Sequence, residues 1–173
     1  MYTPSAYYLA HVGAGLIIFV TYPLVTGLIS YWNFGFEDPT WSGCFTWMFC
    51  LSLPALLGSL WGFTFGTFFR SEATALQFNL VFLLLFNSGA GHTSNLGKGV
   101  NYFAKLISTL SPVRYGTEML MTQIVKGNPA EPFILNHLGY TTGNGTCVLA
   151  MVILGLIIFF VGWANMLRTN RFE

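Results

Sequence analysis

Apolar residues run through this chain in long blocks, and the polar breaks between them are short. Four blocks have about the length needed to cross a bilayer as a helix, ~20 residues: roughly 9–32, 44–69, 73–91 and 147–167. The second is 26 residues without a formal charge. Arg70-Ser71-Glu72 separates it from the third, and Arg168 and Arg171 close the fourth. A single long connection, 92–146, joins the third block to the fourth. It opens on a Gly/Ser/Asn/Thr run, turns mildly amphipathic from Val100 to Leu110, and ends in the polar "GYTTGNGT". The pattern predicts an all-α integral membrane fold with four transmembrane helices.

The densest polar chemistry lies inside that connection, in "TLSPVRYGTEML", 109–120. Ser111 can cap a helix, and Pro112 suits the first helical position because the N–H it lacks would be unpaired there. Arg114 and Glu118 stand at i and i+4, a spacing that allows an ion pair on one face. Val113, Leu120 and Ile124 fall on another face, and Lys126-Gly127-Asn128-Pro129 supplies a stop. The segment reads as an amphipathic helix of about 15 residues. It is too short and too charged to span, and suits either a surface connection or a re-entrant element.

Within the spans, Gly58, Gly62 and Gly66 form one helical stripe that lets another backbone approach closely. Such a stripe predicts a packing seam, inside the bundle or between subunits. Phe78, Phe82 and Leu85 repeat at helical spacing, with Phe86 beside them and Gln77 and Asn79 flanking. Aromatics with carboxamides could line a path for a flat, lipophilic substrate; the alternative is plain helix packing. Pro23 predicts a kink in the first span. His11, near a membrane end, fits a snorkelling or capping role.

Composition narrows the function classes. Apolar residues make up 54% of the chain and charged residues only 8%, against about 25% charged in soluble domains. A net charge of +1 leaves no basic stripe for a nucleic-acid partner. Cys44, Cys50 and Cys147 are too few and too scattered for a disulfide framework or a metal site. The sequence holds no phosphate-binding loop, no HExxH and no GxSxG, so it carries no recognisable catalytic apparatus. The spans contain no Asp or Glu, which argues against a proton-coupled carrier. Met1 to Tyr8 lacks the basic stretch of a cleavable leader. Arg70, Arg168 and Arg171 vote for one side as cytoplasmic, whereas Lys98, Lys105, Arg114 and Lys126 vote for the other. The sequon Asn144-Gly145-Thr146 leans the long connection outward.

Three patches together resemble one family. "SPVRYGTEML" resembles the signature that follows the fifth transmembrane helix in G-type (White/ABCG) ABC transporters. Phe86-Asn87-Ser88-Gly89 resembles the "F-S-G" end of that helix with one residue inserted, and "MYTPSAYYLA" is similar to the run that opens the third helix. The resemblance implies that residues 1–173 are a partial ABC-2 type transmembrane domain, helices three to six. It places both termini in the cytoplasm and makes 100–126 a region of short re-entrant helices.

It further implies that the third span lines a central substrate cavity through Phe78, Phe82, Leu85, Asn79 and Phe86, with Ser111, Pro112, Arg114, Tyr115, Gly116 and Glu118 as the structural motif. ATP and Mg would bind a nucleotide-binding domain that, like the first two transmembrane helices, has no counterpart here. The partners implied are that domain, the remaining helices, the bilayer, and a second half forming a homo- or heterodimer; nucleic acid is not among them. The activity implied is ATP-driven export of a lipophilic molecule such as a lipid, sterol, pigment precursor or drug. Three departures stand out: Ala90-Gly91 replaces bulky plugging residues, His11 replaces an early Lys or Arg, and a lone cysteine in the last outer loop cannot form that loop's usual disulfide. A transporter-derived structural subunit is the rival class.

Overall fold

The computed structural model describes residues 3–36, 39–91 and 101–169. Among them are seven helices: α1 Pro4–Asn33, α2 Trp41–Phe68, α3 Glu72–Ser88, α4 Tyr102–Leu110, α5 Pro112–Ile124, α6 Glu131–Leu138 and α7 Asn144–Thr169. Lys98 and Arg171, two of the charges that bear on orientation, lie outside the described residues.

Among the described residues, three segments are long and apolar enough to cross a membrane: Ser5–Asn33, Trp41–Phe68 and Asn144–Arg168. The expected third span is shorter than its hydropathy pattern predicts. The helix has 17 residues, about 25 Å at 1.5 Å per residue, against a hydrocarbon core of ~30 Å. It stops at Ser88 because Gly89 turns the chain and the last carbonyls find partners outside the helix. Pro23 sits inside α1 without interrupting it. The hydroxyls of Thr21 and Thr26 donate back to the carbonyls of Ile17 and Tyr22, which satisfies polar groups within an apolar helix.

α2 is the central helix. The Tyr8 hydroxyl donates to Phe159 O at 3.3 Å and Thr64 Oγ1 donates to Ile158 O at 3.2 Å. Asn165 Nδ2 donates to Thr67 O at 2.7 Å. These ties set α7 parallel to α2 and α1 antiparallel to both. α3 returns along α2 through an aromatic ladder, with Phe69–Phe78 centroids 4.7 Å apart, Phe65–Phe82 5.0 Å and Trp61–Phe86 5.4 Å. The ladder ends at Trp61, so α3 covers only the C-terminal part of α2.

The N-terminal part of α2 is covered by α5. Cys50 and Leu57 of α2, Tyr115 and Met119 of α5, and Cys147, Met151 and Ile158 of α7 form one buried cluster. A second cluster joins Tyr31 of α1 to Cys44, Trp47 and Met48, with Leu120 of α5 packed on it. Close approach depends on Gly116, which lies against the Pro54 ring so tightly that a methyl there would overlap it. Two special residues thus meet: a proline with no N–H to give α2's ladder, and a glycine with no side chain to hold α5 away.

Gly116→Ala is expected to push α5 off α2 and destabilise the protein by about 1–3 kcal/mol, the usual range for overpacking. Pro54→Ala added to it should recover most of that loss. Thermal melts of the detergent-solubilised chain decide the matter: an unshifted Gly116→Ala melt would contradict the close approach.

Candidate functional site

α5 is positioned by its own first turn. Ser111 caps it, accepting from Arg114 N at 3.3 Å, while the same hydroxyl donates to Phe86 O at 2.9 Å. One side chain therefore starts α5 and satisfies a carbonyl in the last turn of α3. Ser111 and Pro112 are buried, as the capping pattern requires. α5 ends at Ile124 with Val125 as its C-cap, and Gly127, at φ 83°, turns the chain away.

Around α5 the irregular backbone at 89–91 and 139–143 is held by side chains. Ala90 O accepts from the Tyr140 hydroxyl at 2.7 Å and from Thr117 Oγ1 at 3.2 Å. The Tyr115 hydroxyl donates to Thr109 O at 2.9 Å, fixing the α4–α5 corner. Thr122 Oγ1 donates to Asn144 Oδ1 at 2.8 Å, tying α5 to the start of α7. Burial raises the phenol of Tyr140 above its ordinary value of 10.0, and the nearby Glu118 carboxylate adds to this, while the Thr117 hydrogen bond and Arg114 oppose it.

Glu118 is 1% exposed. Its Oε1 accepts from Thr142 N at 2.6 Å, just before α7 begins, where the helix dipole favours a negative charge. The Cys147 thiol lies beside it. The ion pair expected between Arg114 and Glu118 is not formed among the described residues. Glu118 is drawn instead to a desolvated backbone N–H at a helix start, and the Arg114 guanidinium sits over the Tyr115 ring, 5.6 Å from its centroid. Arg114 Nε and Glu118 Oε2 are both buried without a hydrogen-bond partner.

The α3 residues divide by face. Phe78, Phe82 and Phe86 turn toward α2, where Phe82 also stacks on Trp61 at 5.9 Å. Asn79 points at Gly62, its Nδ2 3.7 Å from where a Cβ would stand. Phe78 and Leu85 remain exposed, as do Leu80 and Leu84 on the outer face. Gly58 and Gly66 have nothing within 4 Å of an added Cβ, so among the described residues the stripe meets only Asn79. His11 stacks on Tyr7 and meets the edge of Phe63 at 4.9 Å.

Tyr140, Thr142, Thr117, Pro54 and Trp61 are structurally important residues that motif reasoning passes over. The two glycines that bracket "YTT" are the available signal for the first pair. Trp61 and Phe65, at i and i+4 opposite the Phe stripe, are the signal for the ladder. The three cysteines are free and buried, and no group of three or more His, Cys, Asp or Glu among the described residues could hold a metal ion.

Long apolar helices wrapped on a short, polar, hydrogen-bonded helix define a multi-pass membrane protein. The chain belongs to the ABC-2 type transporter family, whose model matches residues 1–125 and so ends at the C-cap of α5. It is thus the membrane portion of an ABC transporter, a domain that works with a nucleotide-binding domain and further membrane parts. No curated protein matches the chain.

Ser111→Ala removes both the cap and the tie to Phe86 O, and should destabilise the protein by about 1–3 kcal/mol; Ser111→Thr should recover part of it. Equal melting temperatures for all three proteins would remove Ser111 from this role. Tyr140 makes a second prediction. Its raised phenol contributes stability that is fully present below pH 10.0 and is lost as pH rises through the higher folded value. Alkaline melts should therefore fall less steeply for Tyr140→Phe than for the unaltered protein.

Proposed function

We propose that this chain is the part of a G-type ABC transporter's membrane domain comprising helices three to six, and that it helps export a lipophilic molecule. Hydrolysis of ATP with Mg would take place on a nucleotide-binding domain of the same assembly. This chain would contribute differential binding to inward- and outward-facing states. The observation that carries the reading is the docking of the motif helix. Pro54 is the fourteenth of the 28 residues of α2, about 20 Å from either end. A helix seated there, if α2 spans, lies well inside the bilayer rather than on its surface. Its backbone neighbours are satisfied by Ser111, Thr117, Tyr140 and Glu118, as non-helical backbone at membrane depth requires.

On this reading α4 and α5 are re-entrant, α3 is the third of four crossings, completed in length by α5 above it, and both termini are cytoplasmic. α4 fits the boundary, since Tyr102, Phe103, Leu106 and Leu110 share an exposed face that would sit among lipids. The lining proposal centres on α3. Phe82 and Phe86, stacked on α2, would form the rigid wall, and Phe78, Asn79 and Leu85 its rim. The open stripe at Gly58 and Gly66 would meet another part of the assembly.

The test is to recover the chain from native membranes with its companions. A stoichiometric ATPase bearing a phosphate-binding loop is the expected result, and a stable complex without one would favour a structural subunit. In that assembly Phe82→Ala should change substrate-stimulated ATPase by about tenfold, the scale of removing one aromatic ring from a binding wall. Unchanged stimulation across several substrates would remove Phe82 from the lining.

A further inference from the structure

Arg114 and Glu118 stand one turn apart on α5 and do not pair. Glu118 spends one oxygen on Thr142 N at 2.6 Å, while Oε2, and Nε of Arg114, are buried without partners. The Thr142 amide belongs to a three-residue strap, 140–142. Glycines in the left-handed region bound it on both sides, Gly139 at φ 77° and Gly143 at φ 57°. The strap's other tie is the Tyr140 hydroxyl on Ala90 O at 2.7 Å, at the end of α3.

We propose that Glu118 is a two-position latch. In the position seen, it holds the strap closed over the end of α3. When the strap lifts, the carboxylate turns to Arg114 and forms the i, i+4 ion pair that this arrangement lacks. The chemistry favours two discrete positions over a continuum. A buried carboxylate needs compensation at every moment, and each position supplies it: a backbone N–H at the positive end of α7 in one, a guanidinium in the other. Ala90 O is not orphaned by the change, because the Thr117 hydroxyl, 3.2 Å away, can turn its one proton to it from the Val113 and Arg114 carbonyls. Thr142 N, between the exposed Thr141 and Gly143 at the outer side of the strap, passes to water, and the flanking glycines absorb the backbone rotation. The other titratable groups near the latch are Tyr115 on α5, Tyr140 on the strap and Cys147 on α7.

α3 is the element such a latch would control. It packs on α2, α4 and α5 along one side, and its opposite face, with Leu76, Leu80 and Leu84, is exposed. Its upper end is held by the Phe86–Trp61 ring contact, by the approach of Gly89 to Ile107 and Ser108, and by hydrogen bonds that can open and re-form. The inference deepens the transport reading by giving the α3 end a moving part, yet the latch can be tested without transport.

A cysteine at Ala90, a residue with 0% exposure, reveals strap opening to a hydrophilic maleimide. The native cysteines are buried and give a low background. The protein is purified with its companions in lipid nanodiscs. Tyr140→Phe frees the strap and should speed labelling about fivefold, the effect of one hydrogen bond. Glu118→Gln keeps an acceptor for Thr142 N but cannot pair with Arg114, so it should slow labelling about fivefold, as should Arg114→Gln. Equal rates in all three, or Glu118→Gln speeding labelling, overturn the latch. Hydrogen exchange of the unaltered protein needs no substitution. The Thr142 amide should exchange by local opening, well ahead of the α7 interior, and exchange only with global unfolding also overturns it. Since labelling requires neither nucleotide nor substrate, a failed latch with intact transport leaves the transport reading standing. Rates as expected without any transport remove that reading alone.

Discussion

The backbone at the end of α3 cannot be left unpaired, and much of the structure follows from how it is paired. In lipid an unsatisfied N–H or C=O costs several kcal/mol. α3 ends beside the middle of α2, where no bulk water is close if α2 spans. Phe86 O and Ala90 O are met by hydroxyls of Ser111, Thr117 and Tyr140. Each of these comes from α5 or the strap before α7, so those elements must come inward. The polar motif is buried because the backbone it serves is buried. Its position then fixes where α5 meets α2, and the Gly116–Pro54 contact makes that meeting close enough to exclude a side chain.

The long apolar helices are legible in the sequence because length and lack of charge alone define them. The first, second and fourth blocks match α1, α2 and α7 to within a few residues. The motif helix is legible too, since the serine cap, the proline at its first position and the glycine after it are local signals. Arg114–Glu118 differs from its expected pairing for another reason. Helical spacing says which side chains can meet on one helix, but not which backbone groups a neighbouring element brings to them. Thr142 lies 24 residues away in sequence and outcompetes a partner one turn away. The depth of α5 is likewise invisible locally, because it is set by Pro54 on another helix.

Glycine shows the same limit from the other side. The stripe at 58, 62 and 66 is the most regular glycine pattern in the chain, yet its two outer members face open space among the described residues. The glycines that bring elements together are irregularly placed. Gly162 admits Tyr8 and Thr64, Gly15 admits the ring of Phe63, and Gly116 admits Pro54. Burial between helices is not a strong driving force when the alternative solvent is also apolar. Close packing and hydrogen bonds then decide which helices associate, and both depend on pairs of residues far apart in sequence.

The two ends of α3 consequently hold it in different ways. Low on the helix, Phe78 and Phe82 meet the rings of Phe69, Phe65 and Trp61. Stacked rings resist rotation and tolerate only small slides, because their attraction depends on offset and distance. High on the helix, Phe86 still meets Trp61, and the rest of the attachment is a few hydrogen bonds to hydroxyls, each worth about 0.5–1.5 kcal/mol net. A helix held by rings along its length and by polar ties at its tip has its most exchangeable contacts at that tip. Those contacts lie where Ala90, Tyr140 and Glu118 meet, and Glu118 is the one charged side chain buried among the described residues.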